Sequence, residues 1–403
     1  MKIERTTIIY ILLFIFCLNL FNLEGRWLVL SFFALLILQK SKGKIILTKT
    51  SFVLGCFCGV FYLLSAMYDL SSVTFYILPY LLGPFLGYTI GLGIMKMSNP
   101  QTLDKHFKNL IYVIAFGRFS HGLLNYLVSG GYVGGRNGID FWTNSILSAT
   151  LQGGFMTLSI SLLFYALFCV SKYHLLEKII LLGAVSLSIL NNIQSASRTA
   201  LVAMILVFVA CVLYTLYTSG VSKGKKFMML FGVLLFVVLG GIAFQQNWFG
   251  LQTRWQLSAM YDRIHNYEDF QTSDMGRKEK IASAIASGLH HPFGEGSLGN
   301  AHNLWFDTLV QTGWIPFFLL CLFFVQISIN CWKFIRRRSI PMNLRYLLLS
   351  VFLACVLNFS VEPVMQGMPY FFAAFCMIMG AVEQYLRMIE RNSLLESESN
   401  AAR

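Results

Sequence analysis

Four of the seven histidines fall within one polar interval, from about Gln246 to Gly313: His265, His290, His291 and His302. The interval also holds Arg254, Arg263, Arg277 and seven carboxylates. An imidazole is the side chain best suited to take an alcohol proton near neutral pH. A guanidinium offers a planar fork that matches phosphate bidentately, where lysine is a point charge. His302 stands in Ala301-His302-Asn303-Leu304-Trp305-Phe306, just ahead of a long apolar run. It is the general-base candidate, although a histidine in such a place is also a common structural residue. His290, His291 and His302 match no standard zinc spacing, so no metal is expected.

Further charged residues stand outside that interval. Arg198 follows the polar cluster Asn191–Ser197 and opens a long apolar helix. Cations oppose the dipole at a helix start, whereas anions are favoured there. Arg198 therefore reads as part of a phosphate site, the alternative being an arginine that snorkels to the membrane interface. Arg136 lies among Gly130, Gly131, Gly134, Gly135 and Gly138, either an oxyanion cradle or a plain flexible turn. Arg118, with His121 one turn later on the same face, sits inside an apolar run. A charge at membrane depth costs at least about 2.5–3.5 kcal/mol on insertion scales, so Arg118 should face a polar cavity or a packing partner. Glu362 lies in an equally apolar turn and calls for a cation or a hydroxyl.

The elements that must position these groups are membrane helices. The chain has 403 residues, 56% hydrophobic and only 12% charged, against about 25% charged for soluble domains. Several apolar runs reach about 18–24 residues, enough to cross a hydrocarbon core about 30 Å thick. The expected fold is an all-α polytopic membrane protein of about twelve helices, at 7–22, 26–39, 50–69, 72–95, 109–129, 145–170, 178–194, 198–219, 227–245, 313–333, 345–361 and 368–388. The corresponding division is 1–245 for the first nine helices, 246–312 for a long external loop, 313–388 for the last three, and 389–403 for a cytoplasmic tail. The net charge of +13 is explained by topology rather than by nucleic acid. With a cytoplasmic N-terminus, 22 of the 31 basic residues fall on the cytoplasmic side, as the positive-inside rule requires. Both termini are then cytoplasmic and the long loop external. Fourteen of the 22 inner basic residues are Lys, and six of the eight outer ones are Arg.

The first apolar run follows Lys2 and Arg5 like a signal peptide but has no small-x-small cleavage site, so it reads as a retained helix. The nine cysteines lie mostly within apolar runs and read as small buried hydrophobes. Within the loop, Gly276-Arg277 should open an amphipathic helix carrying Ile281, Ala284, Ile285 and Gly288 at helical spacing. His291-Pro292 should end it, ahead of the turn Phe293–Gly299.

Two stretches carry a resemblance: QSASRTALVAMILVFVA, and GRKEKIASAIASGLHHPFGEGSLGNAHNLWFDTLVQTGWIPFFLLCLFF. They resemble the O-antigen ligase and Wzy polymerase superfamily in the Ser-Arg helix start, the loop arginine, the Pro followed by Gly-x-Gly (Pro292, Gly294, Gly296), and the His302-Asn303 pair before a helix. GGRNGIDFW is similar to an upstream arginine segment of that family. The resemblance implies a GT-C-like glycosyltransferase that needs no metal or other cofactor and acts on undecaprenyl-diphosphate-linked glycans. His302 would then be catalytic, and Arg198 and Arg277, with Arg136, would bind diphosphate. Glu362 and Arg118 are possible supports.

The expected activity is polymerisation of lipid-linked repeats at the outer face of the bacterial inner membrane. The alternatives are a ligase that transfers the glycan to lipid A-core, and a lipid-linked oligosaccharide flippase. A short central connection and the lack of an internal repeat speak against a two-half transporter. Partners on this reading are the lipid-linked donor, a glycan acceptor, membrane lipids, and chain-length regulator and flippase proteins, with no nucleic acid.

Overall fold

A computed structural model describes residues 5–22, 47–68, 77–132, 137–171, 173–218, 221–265, 267–296 and 301–401. Its helices are, in chain order, α1 (Arg5–Leu18), α2 (Lys49–Tyr68), α3 (Gly83–Lys96), α4 (Leu103–Val128), α5 (Ala149–Ser161), α6 (Leu163–Phe168), α7 (Leu175–Gln194), α8 (Arg198–Tyr217), α9 (Lys223–Gln245), α10 (Leu251–Gln256), α11 (Ala259–His265), α12 (Tyr267–His290), α13 (Leu304–Thr312), α14 (Trp314–Arg336), α15 (Met342–Phe359), α16 (Val364–Gly367) and α17 (Pro369–Ala401). Two-residue strands, β1 (Gly138–Ile139) and β2 (Ile146–Leu147), pair antiparallel between α4 and α5.

Among the described residues, eight helices are long and apolar enough to cross a membrane. The protein is an all-α polytopic membrane protein. The helix expected at 26–39 lies outside the described residues, as do Gly134, Gly135 and Arg136.

The chain forms two compact units. The first gathers Met1–His121, Gly276–Arg345 and Phe359–Arg403; the second gathers Gly122–Met275 and Tyr346–Asn358.

In the first unit, α3 and α17 pack backbone to backbone. A Cβ on Gly91 would lie 1.9 Å from the Met377 carbonyl oxygen, and one on Gly380 would lie 2.0 Å from that of Tyr88. Small residues at such a contact let membrane helices approach closely without any hydrophobic drive between them. Next to this seam the buried Glu383 accepts from Tyr88 at 2.5 Å, Thr48 at 3.0 Å and Arg387 at 2.7 Å. Phe323, Phe324, Phe359, Phe372 and Phe375 form an aromatic core beside it.

In the second unit, α5 is buried on nearly every side, and Ser148 starts it by accepting from the Leu151 amide. Helices α7 and α8 pack against α5. α9 is apolar but buries almost nothing, as expected for a helix solvated by lipid.

Candidate functional site

His302 precedes a short helix, not the membrane helix itself. The end of the stretch expected as loop, ahead of the membrane helix expected at 313–333, is thus itself helical. α13 ends at Gly313, whose φ of 79° and ψ of −165° separate it from α14. A Cβ at Gly313 would lie 2.1 Å from the Pro292 carbonyl oxygen, a closeness only glycine tolerates. Trp314 then donates its backbone N–H to that same oxygen at 3.0 Å.

The start of α13 fixes the histidine. Asn303 is the N-cap, its side-chain oxygen accepting from the Trp305 amide at 2.9 Å and the Phe306 amide at 3.4 Å. Such caps satisfy helix-start donors that have no partner within the helix. Asp307, one turn in, reaches back to accept from the Ala301 amide at 2.9 Å and the Asn303 amide at 3.0 Å. These bonds flank His302, which is half-buried and takes a left-handed backbone with φ of 52°. Histidine visits that region only occasionally, and the surroundings must hold it there. Burial pushes the Asp307 carboxyl up to about 6, while the amides of Asn303, Ala301 and His302 and the nearby Lys280 pull it down. The sequence had offered the signal for both anchors: Asn before an apolar helix, with an acid in the first turn.

The turn after the loop helix braces α13 from its other end. Glu295 and Gly296 donate backbone N–H groups to the carbonyls of Val310 and Gln311 at 2.8 and 3.3 Å. Gly294, at φ of 87°, lies so close that a Cβ there would sit 2.5 Å from the Gln311 oxygen. Tyr68 of α2 donates to the Gly294 carbonyl at 2.6 Å. The Pro292-x-Gly294-x-Gly296 pattern is thus the cradle for the last turn of α13.

α12 packs on α13 through Ala284, which clusters with Ala301, Val310 and Phe306. Gly288 lies against Leu309, while Ile285 of the expected apolar face is exposed. The loop helix also starts earlier than expected. It begins at Tyr267 instead of Gly276-Arg277, and runs to His290 before Pro292. Arg277 is therefore mid-helix, and its side chain lies outside the described residues.

Two supporting candidates share the first unit with His302. The Asn303 side chain donates to the Ser360 carbonyl at 2.5 Å, and the Trp305 indole N–H to the Ser360 hydroxyl at 3.4 Å. Glu362, two residues further on, is buried. Phe359 stacks edge-on against Phe371 at 5.3 Å, and the Arg118 guanidinium lies 6.0 Å from the Phe371 ring centre. Arg118 and His121 are both buried, so neither faces lipid. The segments bearing His302, Glu362 and Arg118 are thereby linked through Asn303, Ser360, Phe359 and Phe371.

Arg198 belongs to the second unit. It is the first residue of α8, and Ser197 before it makes no side-chain cap. The turn behind it is closed by Ser195, Ala196 and Ser197 amides donating to the carbonyls of Asn191, Ile193 and Asn192 at 2.9, 3.3 and 3.0 Å. Below that turn a polar seam runs through the unit. Gln152 donates to the Gly122 carbonyl at 2.7 Å, Ser159 and Ser188 share a hydrogen bond at 2.7 Å, and Asn358 donates to Thr157 at 3.2 Å. Both polar atoms of the Asn191 side chain, Oδ1 of Asn192 and Oγ of Ser195 are fully buried with no hydrogen-bond partner. Each such group costs about 1–3 kcal/mol when left unpaired.

Among the described residues, no three His, Cys, Asp or Glu side chains are gathered as a metal site. No curated protein matches the chain. Residues 183–321 match the family model described as O-antigen ligase. The match takes in Arg198, Arg277, the Pro-x-Gly-x-Gly cradle and the capped His302-Asn303 pair, and over these residues it supports the O-antigen ligase/Wzy superfamily.

Proposed function

We propose that this protein polymerises undecaprenyl-diphosphate-linked oligosaccharide repeats into a surface polysaccharide at the outer face of the inner membrane, without a metal and with inversion. The observation that supports this reading best is the fixed backbone that carries His302. Asn303 and Asp307 hold His302 out of the helix that follows it, in a stretch matched by the family model. A base held in one place removes the orientation cost of the proton transfer.

In this mechanism His302 takes the proton from an acceptor sugar hydroxyl. The oxygen attacks the anomeric carbon of the donor glycan from the face opposite the diphosphate. The bond from that carbon to the diphosphate oxygen breaks, and undecaprenyl diphosphate leaves with the electron pair. Arg198 and Arg277, assisted by Arg136, stabilise the charge developing on the leaving group. Glu362 and Arg118 support the site without touching reacting atoms.

Transfer by the purified protein in EDTA tests the scheme: a product that lengthens by whole repeats is expected, and a requirement for added metal would overturn it. The match to a family described as O-antigen ligase is equally compatible with a second reading, transfer of the glycan to lipid A-core. Deletion in cells separates the two. Single repeats on the surface lipid mark a lost polymerase, and loss of all surface glycan marks a lost ligase. Movement of lipid-linked glycan with no new glycosidic bond would leave only the flippase reading.

A further inference from the structure

The buried polar face of α7 in the second unit is larger than its packing uses. Ser188 and Asn192 continue the seam: the Ser188 hydroxyl donates to the Ala184 carbonyl at 2.7 Å, and the Asn192 amide to the Ser188 carbonyl at 2.7 Å. One turn nearer Arg198 the pattern changes. Asn191, with 1% of its surface exposed, and Ser195, with none, leave a complete side-chain amide and a hydroxyl unpaired; Asn192 adds an unpaired oxygen. Spacings of three and four residues put these groups on one face of the helix end.

The wall opposite is α5 at Gly153. A Cβ there would lie 2.0 Å from the Ser197 hydroxyl and 3.4 Å from the Asn192 oxygen. The wall therefore carries no side chain where Ser197 and Asn192 meet it. Thr157, one turn along, donates to the Gly153 carbonyl at 2.9 Å and receives the Asn358 amide, whose own oxygen is also buried and unpaired.

Native proteins pair nearly all buried polar atoms, so a cluster of orphans calls for a partner that comes and goes. The unpaired set is neutral: amide donors and acceptors with a hydroxyl, and no charge among them. It complements sugar hydroxyl and acetamido groups. Such a site rejects analogues that leave its buried polar groups unpaired. We propose that Asn191, Asn192 and Ser195 form a carbohydrate subsite, exposed when the end of α7 parts from α5, that reads the sugar next to the diphosphate. This inference rests on the proposed function, which supplies the glycan. It assigns the sugar to neutral amides and leaves the charged diphosphate to Arg198.

The test compares wild-type protein with Asn191→Leu and Ser195→Ala as full chains in detergent. Three quantities are measured: Tm, affinity for undecaprenyl diphosphate carrying no sugar, and KM for the glycan-bearing lipid extracted from producing cells. Leucine removes the orphaned amide at similar volume, so Tm should rise. The KM for the glycan-bearing lipid should rise at least about tenfold, while affinity for the sugar-free lipid stays at the wild-type value.

A raised Tm with unchanged KM would overturn the proposal, because the amides would then be only a packing defect or a water site. A lowered Tm would overturn it too, since the side chain would already be paired in the resting protein. Equal losses for both lipids would place the effect on the diphosphate instead. Arg198→Ala is the separate control: if it binds both lipids normally, the parent reading fails independently of what Asn191→Leu does.

Discussion

Asn303 joins two stretches far apart in sequence, donating its side-chain amide to the Ser360 carbonyl at 2.5 Å while its oxygen caps α13. One side chain thus sets the start of a helix and ties the residue beside it, His302, to the turn that carries Glu362. Asn303→Asp keeps the capping oxygen and loses the donor to Ser360; Asn303→Ala loses both. Alanine should lower stability by about 1 kcal/mol more than aspartate does. Thermal unfolding separates them, and equal Tm values for the two variants would mean that the cap contributes nothing.

The left-handed backbone at residue 302 lets chemistry be told apart from conformation. His302→Gly and His302→Ala both remove the imidazole, but only glycine takes φ of 52° without strain. The glycine variant should unfold at the higher temperature. Both should lose transfer by roughly 100- to 10,000-fold if His302 is the base. Wild-type turnover in either one would remove His302 from the mechanism.

Asp307 gives a signed pH effect. Burial holds its carboxyl at about 6 in the folded chain, against an ordinary value of 3.8. Between those values the folded state keeps a proton that the unfolded state has lost. The resulting stabilisation is full below the ordinary value and is lost as pH rises through about 6. Asp307→Asn abolishes that contribution. The Tm of wild type minus that of the variant should therefore fall as pH is raised across the window. A constant difference would show that Asp307 does not titrate there.

Two glycines with similar backbones should respond differently to alanine. Gly250, at φ of 69°, has open space around its Cβ direction, whereas a Cβ on Gly294 would collide with the Gln311 carbonyl. Gly250→Ala should cost about 1–2 kcal/mol for the left-handed backbone alone. Gly294→Ala should cost more and also loosen the cradle under α13, lowering transfer as well as Tm. Equal effects would argue that the cradle is not a tight fit.

Arginine and lysine at position 198 separate charge from geometry. Arg198→Lys keeps the charge and loses the two-pronged fork. Donor affinity in Arg198→Lys should fall between that of wild type and that of Arg198→Ala, as measured with undecaprenyl diphosphate. Full affinity in the alanine variant would exclude Arg198 from diphosphate binding.

The sequence by itself determined the class of fold. Apolar runs of spanning length and few charges force hydrogen-bonded helices in lipid, because no other open structure satisfies the backbone there. It also marked the start of α8 at Arg198, where a polar cluster gives way to an apolar run, and the end of α12 before Pro292, whose ring cannot continue a helix. It singled out His302, Glu362 and Arg118 by residue type against an apolar background.

Tertiary structure decided what holds them. Asn303 stood out beside His302, but what it and Asp307 hold was not legible, because their partners are backbone amides and the carbonyl of Ser360, which carry no sequence label. The earlier start of α12 escaped because Tyr267–Met275 is polar and helical periodicity there is weak. The orphaned amide of Asn191 and the orphaned oxygen of Asn192 were legible only as a polar cluster. Whether a buried amide is paired depends on what the neighbouring helix presents, and at Gly153 that neighbour presents no side chain at all.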